Sequence, residues 1–338
     1  MADDQQAWQF LIPIAQLRID DNDPINGRWR VADVEFLSRE AASTVISRHG
    51  DGPPAAVEIR TKFVESAWAF ARLTRNGERD NATREAFRDV AEAVNLLAVT
   101  RAFWVNRASN TGFAILGYPL VKQRNAWIVQ QGGLATFDTA SREGGLTPFC
   151  LDAHWHGHIS GTWRVIELFR ALDDSALDPQ WRAQIRRAAG LIGRSLMTSE
   201  RADAFLWNVF ALETLLTRPG ERNGRRLSDR IAGLLGWYLA DNRPGYESEL
   251  TDLFRIRCDA VHDADYSNLT TEVVLLSDLY AVNTLRNVAV HRARFRSKDT
   301  FVELLDSWRR AREWPTDIEI GWIGRFDFSD RERALPLW

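Results

Sequence analysis

The chain has 338 residues, 45% of them hydrophobic and 26% charged, the balance of a folded globular protein long enough for two domains. A net charge of −3 and two cysteines exclude a general polyanion binder and a disulfide-stapled scaffold. No apolar run approaches the roughly 20 residues that span a bilayer and no basic-then-apolar start opens the chain, so a cytoplasmic protein without membrane contact is expected.

In chain order, "GRWRVADVEFL" and "AAVEIR" alternate apolar and polar positions with β-branched residues and are predicted strands. "KFVESAWAFARLTRNG" and "TREAFRDVAEAVNLLAVTRAFW" are predicted helices, the second capped by Thr83. "GFAILGYPLV" and "NAWIVQQ" return to strand patterns, and the Gly-, Ser- and Thr-rich run from Gln130 to Phe149 is read as the domain boundary. From Ser160 to about Trp314 the pattern is helical almost throughout. Asp178-Pro179 opens one helix, Ser199 the next, and Pro219-Gly220 stops that one. "RLSDRIAGLLGWYLA", "YESELTDLFRIRCDAVHD", a long helix from Thr271 to Phe295 and "TFVELLDSWRRAREW" follow. The expected fold class is α+β. Residues 1–145 form an N-terminal α/β domain of unknown topology with a sensory or regulatory role, 150–314 an all-α bundle, and 315–338 a tail.

Two charges fall on predicted apolar faces. At 100° per residue Glu213 lies with Leu206, Val209, Phe210 and Leu216, and Arg257 lies with Leu250, Leu253, Phe254 and Val261. Breaking a buried ion pair costs about 3–5 kcal/mol, so the economical expectation is that the two meet. The pair either holds two helices together or fixes the guanidinium for chemistry. His262 is five residues beyond Arg257, about 140° around a helix and roughly 7.5 Å along it. On one straight helix the two side chains do not converge. Either the helix ends near Val261, or the histidine works with an arginine of a second copy, which points to a homodimer.

"FLWNVFALETLL", "RRLSDRIAGLLG" and "LTDLFRIRCDAVHD" together resemble the HEPN superfamily, and within it the Apea-like HEPN domains, over roughly residues 160–310. The resemblance implies a dimerising helical bundle. It also implies a metal-independent endoribonuclease of toxin–antitoxin or antiphage systems, or a non-catalytic relative that binds a partner such as an antitoxin or defence protein. It places Arg257 and His262 on the motif, with Glu213 as the acid of the "ALE" helix. The family sets a polar residue after the arginine; here Cys258 stands there, with Asp259 one later. The same spacing recurs as "RNVAVH", making Arg286, Asn287 and His291 the second choice.

The chemistry expected needs no cofactor. An imidazole with an ordinary pKa near ~6.5 moves protons at neutral pH, and a permanently charged guanidinium holds a phosphate through two donors. His262 and Arg257 suit these roles, with RNA as the substrate because its 2′-OH is the attacking group. The arginine-rich loop "TRPGERNGRRLSDR" and its surroundings offer Arg222, Arg225, Arg226 and Arg255 for RNA phosphates, with Arg218 and Arg230 beside them, or form a solvated face. In "LDAHWHGHIS", Asp152, His154, His156 and His158 would share one face of a strand, the weaker alternative of a metal enzyme.

Overall fold

The computed structural model describes residues 7–47, 54–103, 113–115, 124–129, 135–140, 148–161, 164–198, 200–221, 223–242, 244–311 and 319–321. These fall into two compact units. One takes the chain up to Val94 and from Arg107 to His156; the other takes 95–106 and everything from Gly157. Two of the boundaries lie inside helices, 94/95 within residues 79–98 and 156/157 within residues 153–160, rather than in the Gly-rich run.

The first unit is built on a five-stranded sheet ordered β3-β4-β5-β1-β6. Its strands are β1 (Ala7–Ala15), β3 (Arg28–Val31), β4 (Val34–Ser38), β5 (Ala69–Asn76) and β6 (Ala114–Ile115). All its pairings are antiparallel, so this is no doubly wound α/β sheet. Short β2 (Leu17–Ile19) pairs in parallel with β9 (Phe149–Leu151). A separate antiparallel hairpin, β7 (Arg124–Val129) with β8 (Ala135–Ala140), occupies part of the run expected to be a linker. Helices α1 (Arg39–Ser47), α2 (Pro54–Glu65) and the first part of α3 (Arg79–Ala98) complete the unit. A core of Leu37, Ala42, Val45, Ala67 and Phe70 seals α1 onto β4 and β5.

Two elements here exchange type relative to the sequence reading. "AAVEIR" is helical, and the Val57 and Ile59 that imitate a strand alternation are both exposed on α2. "AFARLTRN" is the strand β5, paired on both sides by β1 and β4, although alanine, leucine and arginine favour helix. Pairing and burial on a central strand outweigh such propensities. Thr83 is no cap: α3 starts at Arg79, and the Thr83 hydroxyl donates back to the Arg79 carbonyl inside the helix.

The second unit is a helical bundle. It contains α5 (Ile166–Asp173), α6 (Pro179–Met197), α7 (Arg201–Leu216), α8 (Asn223–Asn242), α9 (Tyr246–His262), α10 (Thr271–Val290) and α11 (Lys298–Ala311). The helix α4 (Ala153–Ser160) spans the boundary between units. The Asp178 side chain accepts the Trp181 amide with Pro179 in the first turn, as its sequence predicts. The Ser199 cap lies outside the described residues. The central helix α10 is 20 residues long and apolar enough to cross a membrane, which the sequence reading did not anticipate. Its most apolar window is 83% buried within the bundle, as in a core helix. A polar lock fixes its register: Asn208 of α7 donates to Ser277 and Asp278 of α10, and Ser195 of α6 donates to the same Asp278 carboxylate. This buried network ties α7, the helix that carries Glu213, to α10, although the Asn208 Oδ1 within it is left without a hydrogen-bond partner. Gly193 lets α6 close on the backbone of Asn95, where a Cβ would overlap the carbonyl.

Candidate functional site

The buried stripe of α7 runs through Ala204, Phe205, Asn208, Val209, Ala211, Leu212, Leu215 and Leu216. Leu206, Phe210 and Glu213 lie on its half-buried flank rather than at its centre. On α9 the buried positions are Tyr246, Leu250, Leu253, Phe254, Ile256 and Ala260; Val261, expected in this stripe, is 41% exposed. Arg257 therefore sits at the margin of the core, opposite the margin that carries Glu213.

There the two meet as expected. Arg257 Nη2 lies 3.1 Å from Glu213 Oε1, with side-chain exposures of 18% and 14%. The contact is Coulombic rather than a well-aligned fork: Glu213 Oε1 and Arg257 Nε are buried atoms without a hydrogen-bond partner. The carboxylate offsets the guanidinium charge at the core margin, and the unpartnered Nε is itself buried.

α9 continues through His262 as its last residue, and the Asp263 amide closes the final turn on the Asp259 carbonyl. His262 is exposed. One chain thus presents the imidazole about 140° around the helix from the guanidinium. Asp259 does not join Arg257; it turns to Arg255 at 3.7 Å on the solvent side, where Arg255 also contacts Asp252 at 3.4 Å. Arg255 is thereby paired twice, although it stays largely exposed. Exposed Cys258, where the family sets a polar residue, borders a cleft of about 500 Å³ lined by Leu250, Phe254, Arg255 and Arg309.

The second constellation is closed. Asn287 is fully buried and grips both backbone groups of Gly321: the Gly321 amide donates to Asn287 Oδ1 at 2.9 Å, and Asn287 Nδ2 donates to the Gly321 carbonyl at 2.8 Å. His291 Nε2 lies 2.8 Å from the Glu319 carbonyl oxygen. Burial holds both Arg286 and His291 below their usual pKa, and the nearby Arg164 charge pushes both further down, while Glu319 opposes.

The arginine-rich loop is largely spent on its own fold. Arg230 is completely buried and donates to both oxygens of Glu221, both of Asp306 and the Leu216 carbonyl. Arg218 pairs with Asp299 at 2.9 Å and Glu303 at 3.3 Å. Arg226 remains largely exposed with one contact to Glu221 at 3.1 Å. Arg222 lies outside the described residues, and of Arg225 only the helical backbone is described. Lys298, which the sequence reading passed over, donates to the Thr214 carbonyl at 2.8 Å; burial pushes its amine down to about 8.

The histidine run is no strand. Asp152 accepts the Trp155 amide, and α4 follows. Successive members of the run then turn about 200° apart instead of sharing a face. Trp155 goes inward against Trp29, with ring centroids 4.8 Å apart, and His156 packs beside the same Trp29 at 6.0 Å. Among the described residues no group of three or more His, Cys, Asp and Glu side chains is placed to hold a metal, so Asp152, His154, His156 and His158 do not form the site imagined for them. No family model, curated protein or solved structure matches this chain.

Proposed function

We propose that the chain is a metal-independent endoribonuclease of the HEPN type that cuts single-stranded RNA as a cytoplasmic homodimer in a toxin or antiphage setting. One observation carries the reading: a core-margin carboxylate, Glu213, positions Arg257 on the helix whose exposed last residue is His262.

The chemistry follows from these groups. Arg257 takes the scissile phosphate and offsets the charge that grows on its oxygens as the 2′-oxygen attacks. His262 takes the 2′-OH proton. The P–O5′ bond breaks as the 2′-O–P bond forms, the leaving 5′-oxygen takes a proton from water, and a 2′,3′-cyclic phosphate remains. Since α9 separates Arg257 from its own His262 around the helix, the imidazole at each phosphate comes from the second copy. Asp259, turned toward Arg255, has no part in this step.

A second reading is a non-catalytic HEPN module that binds a partner protein. Cys258 beside Arg257, and exposed Val261 and Tyr266 on either side of His262, favour it. End-labelled single-stranded RNA incubated with the protein in excess chelator separates the readings. Cleavage to cyclic-phosphate ends, with the matching DNA intact, supports the ribonuclease. No cleavage with or without added divalent metal supports the binding module, and cleavage abolished by chelator refutes the metal-independent mechanism.

A further inference from the structure

We propose that the first unit holds one guanine nucleotide in a cavity of about 370 Å³, with Glu40 reading the base edge and Arg18 and Arg39 taking the phosphate. The cavity lies where β2 and the turn after it meet the start of α1 and Trp68, just ahead of β5, and its volume is that of a small-ligand site. Its charged side chains are held apart rather than joined. Arg39 donates its Nε to the Ala67 carbonyl at 2.9 Å, which leaves both Nη groups without a partner among the described residues. The Arg18 guanidinium has one contact among the described residues, the ring of Trp68, with Cζ 5.1 Å from the centroid. One oxygen of Asp21 accepts the Ser38 hydroxyl at 2.6 Å, and one of Asp20 accepts the Asn22 side-chain amide at 2.7 Å. Glu40, exposed in the first turn of α1, keeps both carboxylate oxygens unpartnered among the described residues. Arg230, Arg292 and Arg309 each hold two carboxylates; the two arginines of this cavity form no ion pair among the described residues, although acids line the same space.

These unused groups define the ligand. Trp68 is 43% exposed beside the Arg18 guanidinium, and indole rings and guanidinium planes are the surfaces on which unstacked bases rest. A guanidinium fixed through its own Nε presents its two Nη donors to phosphate oxygens. Among the bases, guanine sets two N–H donors side by side on its Watson–Crick edge, N1–H and the 2-amino group, and these match the two oxygens of one carboxylate. Adenine would turn the N1 lone pair toward that carboxylate instead. Glu40 takes this part rather than Asp20 or Asp21, each of which has an oxygen already accepting a hydrogen bond. Four carboxylates, Asp152 being the fourth, line the cavity against two guanidinium groups, so a monophosphate is admitted in preference to a triphosphate. The same chemistry fits a free nucleotide and a guanosine within single-stranded RNA. None of these side chains belongs to the helical bundle, so the site does not rest on the ribonuclease reading.

Isothermal titration calorimetry of the full-length protein with 5′-GMP, 5′-AMP and GTP is the test. GMP should bind about 10-fold more tightly than AMP, the discrimination of one bidentate base contact, and more tightly than GTP. Glu40→Gln should reverse the preference between GMP and AMP, because a glutamine amide donates to adenine N1 and accepts from its 6-amino group; a merely structural role for Glu40 would not exchange the two. Arg18→Gln should weaken GMP about 10-fold with an unchanged melting temperature. Both side chains are exposed, so both variants should fold. A uridine-rich RNA carrying one guanosine, titrated against bound GMP, tells the two sources apart. Competition that needs the guanosine assigns the site to RNA, and no competition assigns it to the free nucleotide. Equal affinities for GMP and AMP, tighter binding of GTP, no heat from GMP at about 1 mM, or a Glu40→Gln variant that weakens both monophosphates alike overturns the proposal.

Discussion

Replacing Glu221 by glutamine removes the charge that faces the completely buried Arg230 while keeping its shape. Glu221 is 13% exposed and touches Arg230, Arg226 and the backbone amide of Arg218. Its hydrogen bonds from Arg230 hold its carboxyl down at about 2, against an ordinary value of 4.5. At about 1.4 kcal/mol per pKa unit this is about 3 kcal/mol of native-state stabilisation. The amide retains one acceptor, so Glu221→Gln should lose about 2–3 kcal/mol at pH 7. The sign follows from a depressed folded pKa. The contribution is fully present above pH 4.5 and is lost as pH falls toward 2. Urea unfolding followed by helical circular dichroism measures it: the gap between wild type and variant should be largest at neutral pH and shrink steadily below pH 4.5. Equal midpoints at pH 7, or a gap that persists unchanged near pH 2, would refute the role given to this carboxylate.

Three further outcomes are expected. Glu213→Gln should leave Arg257 without the charge that positions it, lowering RNA cleavage about 10–100-fold with little change in KM; single-turnover rates against RNA concentration check this. Arg257→Lys should not restore the rate, because a single ammonium cannot reproduce two fixed donors; the same assay decides. Gly193→Ala should lower the melting temperature through a cost of about 1–3 kcal/mol, since its Cβ meets the Asn95 carbonyl rather than a flexible side chain; differential scanning calorimetry reports it.

The helical half was legible because its signals are local. Asp178-Pro179, the 3.6-residue stripes of α6 to α11 and the pairing of two inward charges all follow from periodicity and from the cost of an unpaired buried charge. The sheet was less legible because its strands are specified by their neighbours. β5 reads as a helix until β1 and β4 pair with it, and α2 reads as a strand because Val57 and Ile59 alternate on a surface. The histidine run misled for a related reason: Asp152 is a helix cap, and a cap followed by Trp155 at the third position was a signal available in the sequence. The fate of the loop arginines was hidden for another reason. Arg230 looks like its solvated neighbours, and only Glu221 and Asp306, 76 residues away in the latter case, distinguish it. The contact of Asn287 with the Gly321 backbone is likewise non-local, joining positions 34 residues apart.

The central claim is that Arg257 of one copy and His262 of another act on one phosphodiester. Mixing two inactive variants, Arg257→Ala and His262→Ala, tests it most directly. Mixed dimers contain one intact site and one doubly defective site, so equal mixing after subunit exchange should restore about a quarter of wild-type cleavage, given statistical pairing of two subunit types. Two variants that are each inactive, form mixed dimers and remain inactive together would contradict the account.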